Sequence, residues 1–256
     1  MYLIDTHSHL DTFIEDVPAV LKRAVDNHVK KLISIGAGDG LGSNDLSAQL
    51  AEKYDNIWFS LGIHPHDSEK YPDLLALEKY FSSPKLVAMG ETGLDYFRDW
   101  APQEAQRSLF RQTIRIAKEL KKPLIIHCRD AAEETMRILI EEQAQDVGGV
   151  FHCYAEDATF AEKLIDLNFF VSFTGIITFK KALDRQEAAR LIPLDQIFLE
   201  TDSPYMAPEP YRGQASEPGH VYYIAKKLAE IKGISLEEVA DQTSRNAEKL
   251  FPLISL

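Results

Sequence analysis

Cysteine is scarce in this chain of 256 residues: Cys128 and Cys153 are the two present. Two thiols cannot build a disulfide framework, which excludes a small staple-held scaffold and makes a reducing interior the expected setting. Positive charge is also in deficit, with 28 Lys and Arg against 40 Asp and Glu and a formal net charge of −12. Such a surface repels nucleic acid overall, so a nucleic-acid partner has to be gripped where cations or metal ions are concentrated. Long apolar runs are missing too. The most apolar stretch, Leu167 to Phe179, is broken by Asn168, Ser172, Thr174 and Thr178 and is too short to span a bilayer. No basic-then-apolar leader precedes Asp5, so a cytoplasmic protein without membrane attachment is expected. No Pro/Gly/Ser-rich linker, low-complexity tract or long repeat divides the chain.

What is present is an alternation of short β-rich runs with amphipathic segments. Tyr2-Leu3-Ile4 opens the chain as a short apolar run, and Val17 to Val29 carries Val17, Val20, Leu21, Ala24, Val25 and His28 at a 3.6-residue period, which predicts a helix. Lys31 to Gly36 predicts a strand ended by glycine, Asn44 to Tyr54 a helix and Ile57 to Gly62 the third strand. Next come helix Leu74 to Phe81, strand Lys85 to Gly90, helix Gln103 to Leu120, strand Pro123 to His127 and helix Ala131 to Gln143. The second half continues with strand Gly149 to His152, helix Ala158 to Leu167, strand Phe169 to Phe173, helix Asp184 to Leu191 and strand Gln196 to Thr201. Helices at Gly219 to Lys232 and Leu236 to Leu250 close it. Eight strand signals alternating with helices predict an α/β fold, a single (β/α)8 TIM barrel over residues 1–256 with extra C-terminal helices. The other α/β arrangement, an open doubly wound sheet, would often carry a Gly-rich phosphate loop in its first βα turn; here that turn carries histidines.

Those histidines are His7 and His9 in Asp5-Thr-His-Ser-His9. On a strand, residues two apart point the same way about 7 Å apart, so two imidazoles can converge on one cation. Metal-type residues then recur at the C-terminal ends of the predicted strands, the face on which barrel enzymes place their active sites. Glu91 follows strand four, His127 ends strand five, His152 ends strand six and Asp202 follows strand eight. Six donors overfill one tetrahedral site, whereas two divalent ions sharing a bridging carboxylate and a hydroxide would use them all. The ions come from the set zinc, manganese, magnesium, nickel, cobalt and iron. His64 and His66, after strand three, lie on the same face without a ligand vacancy; His64 could contact substrate or a leaving group, or be a loop histidine held by neighbours. Arg129 could clamp a phosphate through its planar fork or make a solvated salt bridge. Cys128 and Cys153 each follow a candidate ligand by one residue, so strand alternation turns them away as core thiols, and no role falls to His28 or His220.

Taken together, eight segments resemble the TatD family of metal-dependent hydrolases within the amidohydrolase-like barrels, and the match extends over nearly the whole chain. They are Asp5-Thr-His-Ser-His9, Gly62-Ile-His-Pro-His66, Met89-Gly-Glu-Thr-Gly-Leu-Asp95, Pro123-Leu-Ile-Ile-His-Cys-Arg-Asp130, Phe151-His-Cys153, Gly175-Ile-Ile-Thr-Phe179, Leu199-Glu-Thr-Asp-Ser-Pro204 and Asn246-Ala-Glu-Lys-Leu-Phe251. The resemblance implies a TIM barrel, two divalent ions and cleavage of ester bonds in nucleic acid, typically as a deoxyribonuclease, some members trimming DNA from the 3′ end. It places His7, His9, Glu91 and Asp202 on one ion, and Glu91, His127 and His152 on the other. Two segments depart from the family pattern. Tyr154-Ala155-Glu156 stands where an aromatic residue and Ser-Gly are usual, and Ala215-Ser-Glu-Pro218 stands where Arg/Lys-Asn-Glu-Pro is common, which removes an amide.

The expected chemistry is in-line attack on phosphorus by a metal-activated water, with both ions neutralising charge on the phosphoryl oxygens, Asp202 and Glu91 in the catalytic centre, and Asp202 taking the proton. Arg129 and His64 would steady the phosphate or the leaving oxygen. The same hydroxide attacks carbon, so a carbonyl hydrolase (amidase, lactonase or aminoacyl-tRNA deacylase) is the alternative; a non-catalytic binding module would show a lost ligand, and none is lost. A monomer is compatible with all of these readings.

Overall fold

The computed structural model describes residues 1–13, 15–38 and 40–253; Ile14, Asp39 and 254–256, part of the expected 1–256 span, lie outside the described residues. Eight parallel strands follow one another in sequence order: β1 (Leu3–Ser8), β2 (Val29–Ile35), β3 (Ile57–Leu61), β4 (Leu86–Asp95), β5 (Leu124–Arg129), β6 (Gly149–Phe151), β7 (Phe169–Phe173) and β8 (Ile197–Leu199). The sheet curls into a nearly closed barrel. A parallel bridge joins Ser8 to Ser203, the peptide N–H of Asp202 donates to His7 O at 2.9 Å, and that of His9 donates to Ser203 O at 2.9 Å. The seam is therefore sewn by the segments that carry the candidate ligands.

Among the described residues eight α-helices pack outside: α1 (Val17–Asp26), α2 (Gly40–Lys53), α3 (Gln103–Leu120), α4 (Ala132–Glu141), α5 (Ala158–Asp166), α6 (Leu183–Leu191), α7 (Val221–Lys232) and α8 (Leu236–Leu250). Their apolar stripes explain their formation: α1 buries Val17, Val20, Leu21 and Ala24, and α3 buries Leu109, Phe110, Ile114 and Ala117. Strand alternation divides the core in two. Ile4, Ile33, Trp58, Val87, Ile125, Val150, Phe170 and Phe198, one from each strand, form a cluster inside the barrel, plugged by Phe251 and Leu253. Neighbouring positions such as Leu3, Leu32, Phe59, Leu86, Ile126 and Val171 pack outward against the helices. The C-terminal helix α8 holds both sides of the seam. Ser244 Oγ donates to Tyr2 O at 3.1 Å, and Asn246 Nδ2 donates to Leu194 O at 2.9 Å and Ile197 O at 2.8 Å. No helix among the described residues is long and apolar enough to cross a membrane.

Several element boundaries differ from the sequence reading. The segment predicted as a helix over Leu74 to Phe81 is a 3₁₀ helix, Leu75–Tyr80. The second helix begins at Gly40 rather than Asn44. Strand four does not end at Gly90 but continues to Asp95, so Glu91 lies within it. Strand eight is shorter than predicted, and Asp202 lies three residues beyond Leu199 at a left-handed φ of 53°.

Candidate metal centre

The six candidate ligands meet at the C-terminal mouth of the barrel, at the floor of a cavity of about 930 Å³. Glu91 is its centre, and its two carboxylate oxygens face different partners. Oε1 lies 2.7 Å from His127 Nδ1, 3.0 Å from His152 Nε2 and 3.6 Å from His64 Nε2. Oε2 lies 3.5 Å from His7 Nε2 and 3.9 Å from His9 Nε2. Asp202 Oδ1 completes the second set, 3.7 Å from His7 Nε2 and 3.5 Å from His9 Nε2. His7, near the end of β1, and His9, just beyond it, are brought together with ring centroids 5.2 Å apart, and His7 stacks on His152 at 4.0 Å.

These donors fit divalent cations. His7 is wholly buried, yet neither of its ring nitrogens has a hydrogen-bond partner among the described residues. A buried polar group left unpaired is costly, so the fold has to compensate it with something other than the protein. Its Nε2 faces two carboxylate oxygens at distances too long for hydrogen bonds. Two ligands bonded to one ion at about 2.1 Å stand about 3.0–3.4 Å apart, close to these spacings. Buried carboxylates and imidazoles are also the donor set that zinc, manganese and their neighbours take.

Charge is distributed accordingly. Burial alone would raise the Glu91 carboxyl, but His152 beside it and the bonds from His127 and His152 hold it well below the usual range. Burial would likewise raise Asp202, and His9 together with the other imidazoles keeps it low. Burial and the neighbouring His152 lower His7, which leaves one of its ring nitrogens free to donate a lone pair at neutral pH. His9, His127 and His152 are raised against the effect of burial by the carboxylates they face.

A second layer, missed by the sequence reading, orients the first. Asp95 Oδ2 lies 3.0 Å from His127 Nε2, on the side of the ring away from Glu91, and 3.0 Å from His66 Nε2. Its other oxygen, Oδ1, accepts from the backbone N–H of Phe97 and of Arg98, each at 3.1 Å. Glu200 does the same for His152: Oε1 lies 3.3 Å from Nδ1 and accepts from Cys153 N at 2.6 Å. Asp5, fully buried and pushed up to about 8 by burial, accepts from Thr201 N at 2.9 Å and Thr201 Oγ1 at 2.6 Å, tying β1 to the residue before Asp202. The signal for Asp95 was its i+4 spacing from Glu91, which puts both on one face of a strand that continues. Gly93, between them, pairs with His127 and has a φ of 139°; a Cβ there would meet His127 O at 2.0 Å. Only glycine admits that approach.

His64 reaches the cluster, forming with Glu91 and His127 a group of three donors. Burial drives it down to about 3, so it is neutral; its Nδ1 accepts from His66 N at 3.2 Å, which leaves Nε2 carrying the proton that faces Glu91. Arg129 lines the cavity and stacks on Phe97, its guanidinium carbon 3.8 Å from the ring centroid, with no carboxylate partner among the described residues. One thiol differs from expectation. Cys128 packs against the core but also reaches the cavity wall, and Cys153 lines the cavity because β6 has ended two residues earlier and its φ is 46°, outside strand alternation. Burial pushes both up to about 12, so they are inert thiols; Cys128 is the core thiol expected, and Cys153 is one in the cavity wall. The two divergent segments are structural in part: the buried Tyr154 donates its hydroxyl to Asp157 O at 2.6 Å, and Glu217 accepts from Arg23 Nε at 2.7 Å.

Residues 4–252 match the family model described as TatD related DNase. The chain is 40% identical over 256 residues to the uncharacterized metal-dependent hydrolase YcfH of Escherichia coli K12, covering 98% of this chain and 96% of that one. It is 30% identical over 258 residues to a protein of Shigella flexneri named 3'-5' ssDNA/RNA exonuclease TatD, with 98% of each covered. The crystal structure of YJJV, a TatD homolog from Escherichia coli K12, superposes with a TM-score of 0.90 at 29% identity and 98% coverage of both chains.

Proposed function

The chain belongs to the TatD-related DNase family of metal-dependent hydrolases, and from that premise we propose that it hydrolyses phosphodiester bonds in nucleic acid, DNA first, using two divalent ions. The observation that carries the reading is Glu91, whose two oxygens face two separate donor sets at the floor of an open cavity. His7, His9, Glu91 and Asp202 would hold one ion; Glu91, His127 and His152 would hold the other. When bound, such ions supply Lewis acidity, lowering the pKa of a water and neutralising charge on phosphoryl oxygens. The protein supplies the rest. Asp202, ionised and at the cavity floor, accepts the proton of the attacking water. Neutral His64 donates from Nε2 to a phosphoryl or leaving oxygen, and Arg129, held flat on Phe97, presents its fork to the phosphate. The substrate named for the Shigella flexneri relative, single-stranded DNA or RNA, supports the choice of nucleic acid.

The test is turnover of end-labelled single-stranded DNA by protein loaded with manganese, magnesium or zinc, beside a panel of carboxylic esters, lactones and amides. Metal-dependent shortening of the strand, abolished by chelation, is expected. Hydrolysis of the esters or amides with the strand left intact would replace this reading with the carbonyl one.

A further inference from the structure

The loop after β4 does something that folding alone does not ask of it: it holds large rings out into solvent. Phe97 is 52% exposed and Trp100 is 65% exposed, and both line the mouth of the cavity. The loop is nevertheless pinned. Asp95 Oδ1 accepts from Phe97 N and Arg98 N, and the buried Gln106 accepts from Asp95 N at 2.9 Å while donating to Asp95 O at 3.1 Å and Ala101 O at 3.0 Å. Apolar rings fixed in an exposed position at the rim of a cavity that also exposes imidazoles and charged groups mark a binding surface. Across the mouth stands Tyr205, 57% exposed, its ring 6.0 Å from that of His9.

Cations stand among the rings even though the cavity wall also carries the carboxylates Asp11, Asp130 and Glu156. Arg98 lies 5.3 Å from the Trp100 ring and 5.1 Å from Phe97, Arg129 covers Phe97, and Arg185 also lines the cavity. Guanidinium groups interleaved with open aromatic faces are what a single nucleic-acid strand requires, since bases stack on rings and phosphates pair with cations. The wall also connects to the metal centre: the Trp100 ring lies 4.5 Å from that of His66, His66 Nε2 lies 3.0 Å from Asp95 Oδ2, and Asp95 in turn faces His127.

Resting on the nucleic-acid reading above, we propose that Trp100, backed by Phe97 and Arg98, is a stacking platform for an unpaired base whose neighbouring phosphate lies at the metal cluster. A base held in a duplex cannot reach this platform without unstacking, so the site selects strands with unpaired ends.

Fluorescence reports on Trp100 directly, because the only other tryptophan, Trp58, is 2% exposed inside the barrel. The metal-loaded protein is titrated with a phosphorothioate-linked single-stranded oligodeoxynucleotide and with an abasic strand of equal length and charge. Quenching by the first strand and not the second is expected, and Trp100→Phe removes the quench. Cleavage of ordinary strands by the wild type should favour the base-bearing strand over the abasic one; Trp100→Ala should reduce that preference by about five- to 150-fold, the usual worth of one stacked base, and Trp100→Phe should keep most of it. Cleavage of strands with no quench, or an unchanged preference in Trp100→Ala, overturns the platform and leaves the nuclease reading standing. A quench without cleavage supports the platform and overturns the reaction. Neither quench nor cleavage overturns both.

Discussion

Replacing Asp95 by asparagine removes one charge and one acceptor oxygen from a side chain that uses both oxygens. Oδ1 caps the backbone N–H groups of Phe97 and Arg98, and Oδ2 faces His127 Nε2 at 3.0 Å. An amide has a single oxygen, so one of the two tasks fails whichever way it turns. If the oxygen stays on the loop, an NH₂ meets His127 Nε2; the ring must then shift its proton to Nδ1, the nitrogen that faces Glu91 at 2.7 Å and that would bind the cation. If the oxygen turns to His127, two loop N–H groups meet donors and the segment carrying Trp100 loosens. Loss of an outer partner of this kind costs about 10- to 100-fold in metal affinity or activity, or about 1.4–2.8 kcal/mol. The expected outcome for Asp95→Asn is that the ion proposed for Glu91, His127 and His152 is surrendered at about 10- to 100-fold lower chelator concentration, while the ion proposed for His7, His9, Glu91 and Asp202 stays. Competition against a chromophoric chelator, with occupancy followed by elemental analysis, measures both. Two ions retained with wild-type affinity would refute the assignment of Asp95 as the partner that fixes the His127 tautomer.

Glu91→Gln leaves one coordinating oxygen where two are needed, so elemental analysis should find the second ion lost first; unchanged metal content and rate would put the bridge elsewhere. Asp202→Asn keeps a coordinating oxygen but cannot take a proton, so turnover should fall by about two to four powers of ten and stay low at saturating metal, whereas His7→Ala should recover in part; full rescue of Asp202→Asn would make Asp202 a ligand alone. In the metal-free protein, burial opposes and the carboxylates Glu91 and Glu200 outweigh it to raise His152 well above 6.5, so the stability this gives is present below 6.5 and lost as pH rises through the folded value. A cation needs that imidazole deprotonated, so the gain in Tm from added metal should grow as pH rises above 6.5, and calorimetry showing it shrink would be decisive against the site. With few rim cations on an acidic chain, strand affinity should fall with salt at a log–log slope of about −2 or less, and a slope of about −5 would reveal a basic groove elsewhere.

The barrel was legible because burial on both faces of each strand and on one face of each helix leaves a periodic record. The clustering of the candidate ligands was legible for a related reason: His7, His9, His127, His152 and Asp202 sit at or just beyond the C-terminal ends of strands, where barrel geometry converges, and Glu91 lies within the long fourth strand. The reading of Cys153 failed because alternation was extended past the end of β6, and a left-handed residue at position 153 resets the direction of the side chain, whereas Cys128, inside β5, packs against the core as alternation predicts. Leu74 to Phe81 failed because an apolar stripe alone does not separate a 3₁₀ helix from an α-helix over so few residues.

Strand four is the instructive case. Gly90 reads as a terminator, since glycine weakens a strand and commonly marks its end. Here Gly90 and Gly93, with φ of 145° and 139°, are what allow the strand to go on: a Cβ at position 90 would meet Ile125 O at 2.5 Å, and at position 93 His127 O at 2.0 Å. The two glycines let β5 approach until His127 pairs with Gly93, midway between Glu91 and Asp95. The imidazole then spans the gap, Nδ1 to Glu91 and Nε2 to Asp95, so that a residue without a side chain sets the position of a ligand on the neighbouring strand. A glycine that ends a strand and one that admits a neighbour look alike in a single sequence. The difference lies in the polar residues beyond it, because Glu91, Gly93 and Asp95 at a spacing of two can share a face only if the strand has not stopped.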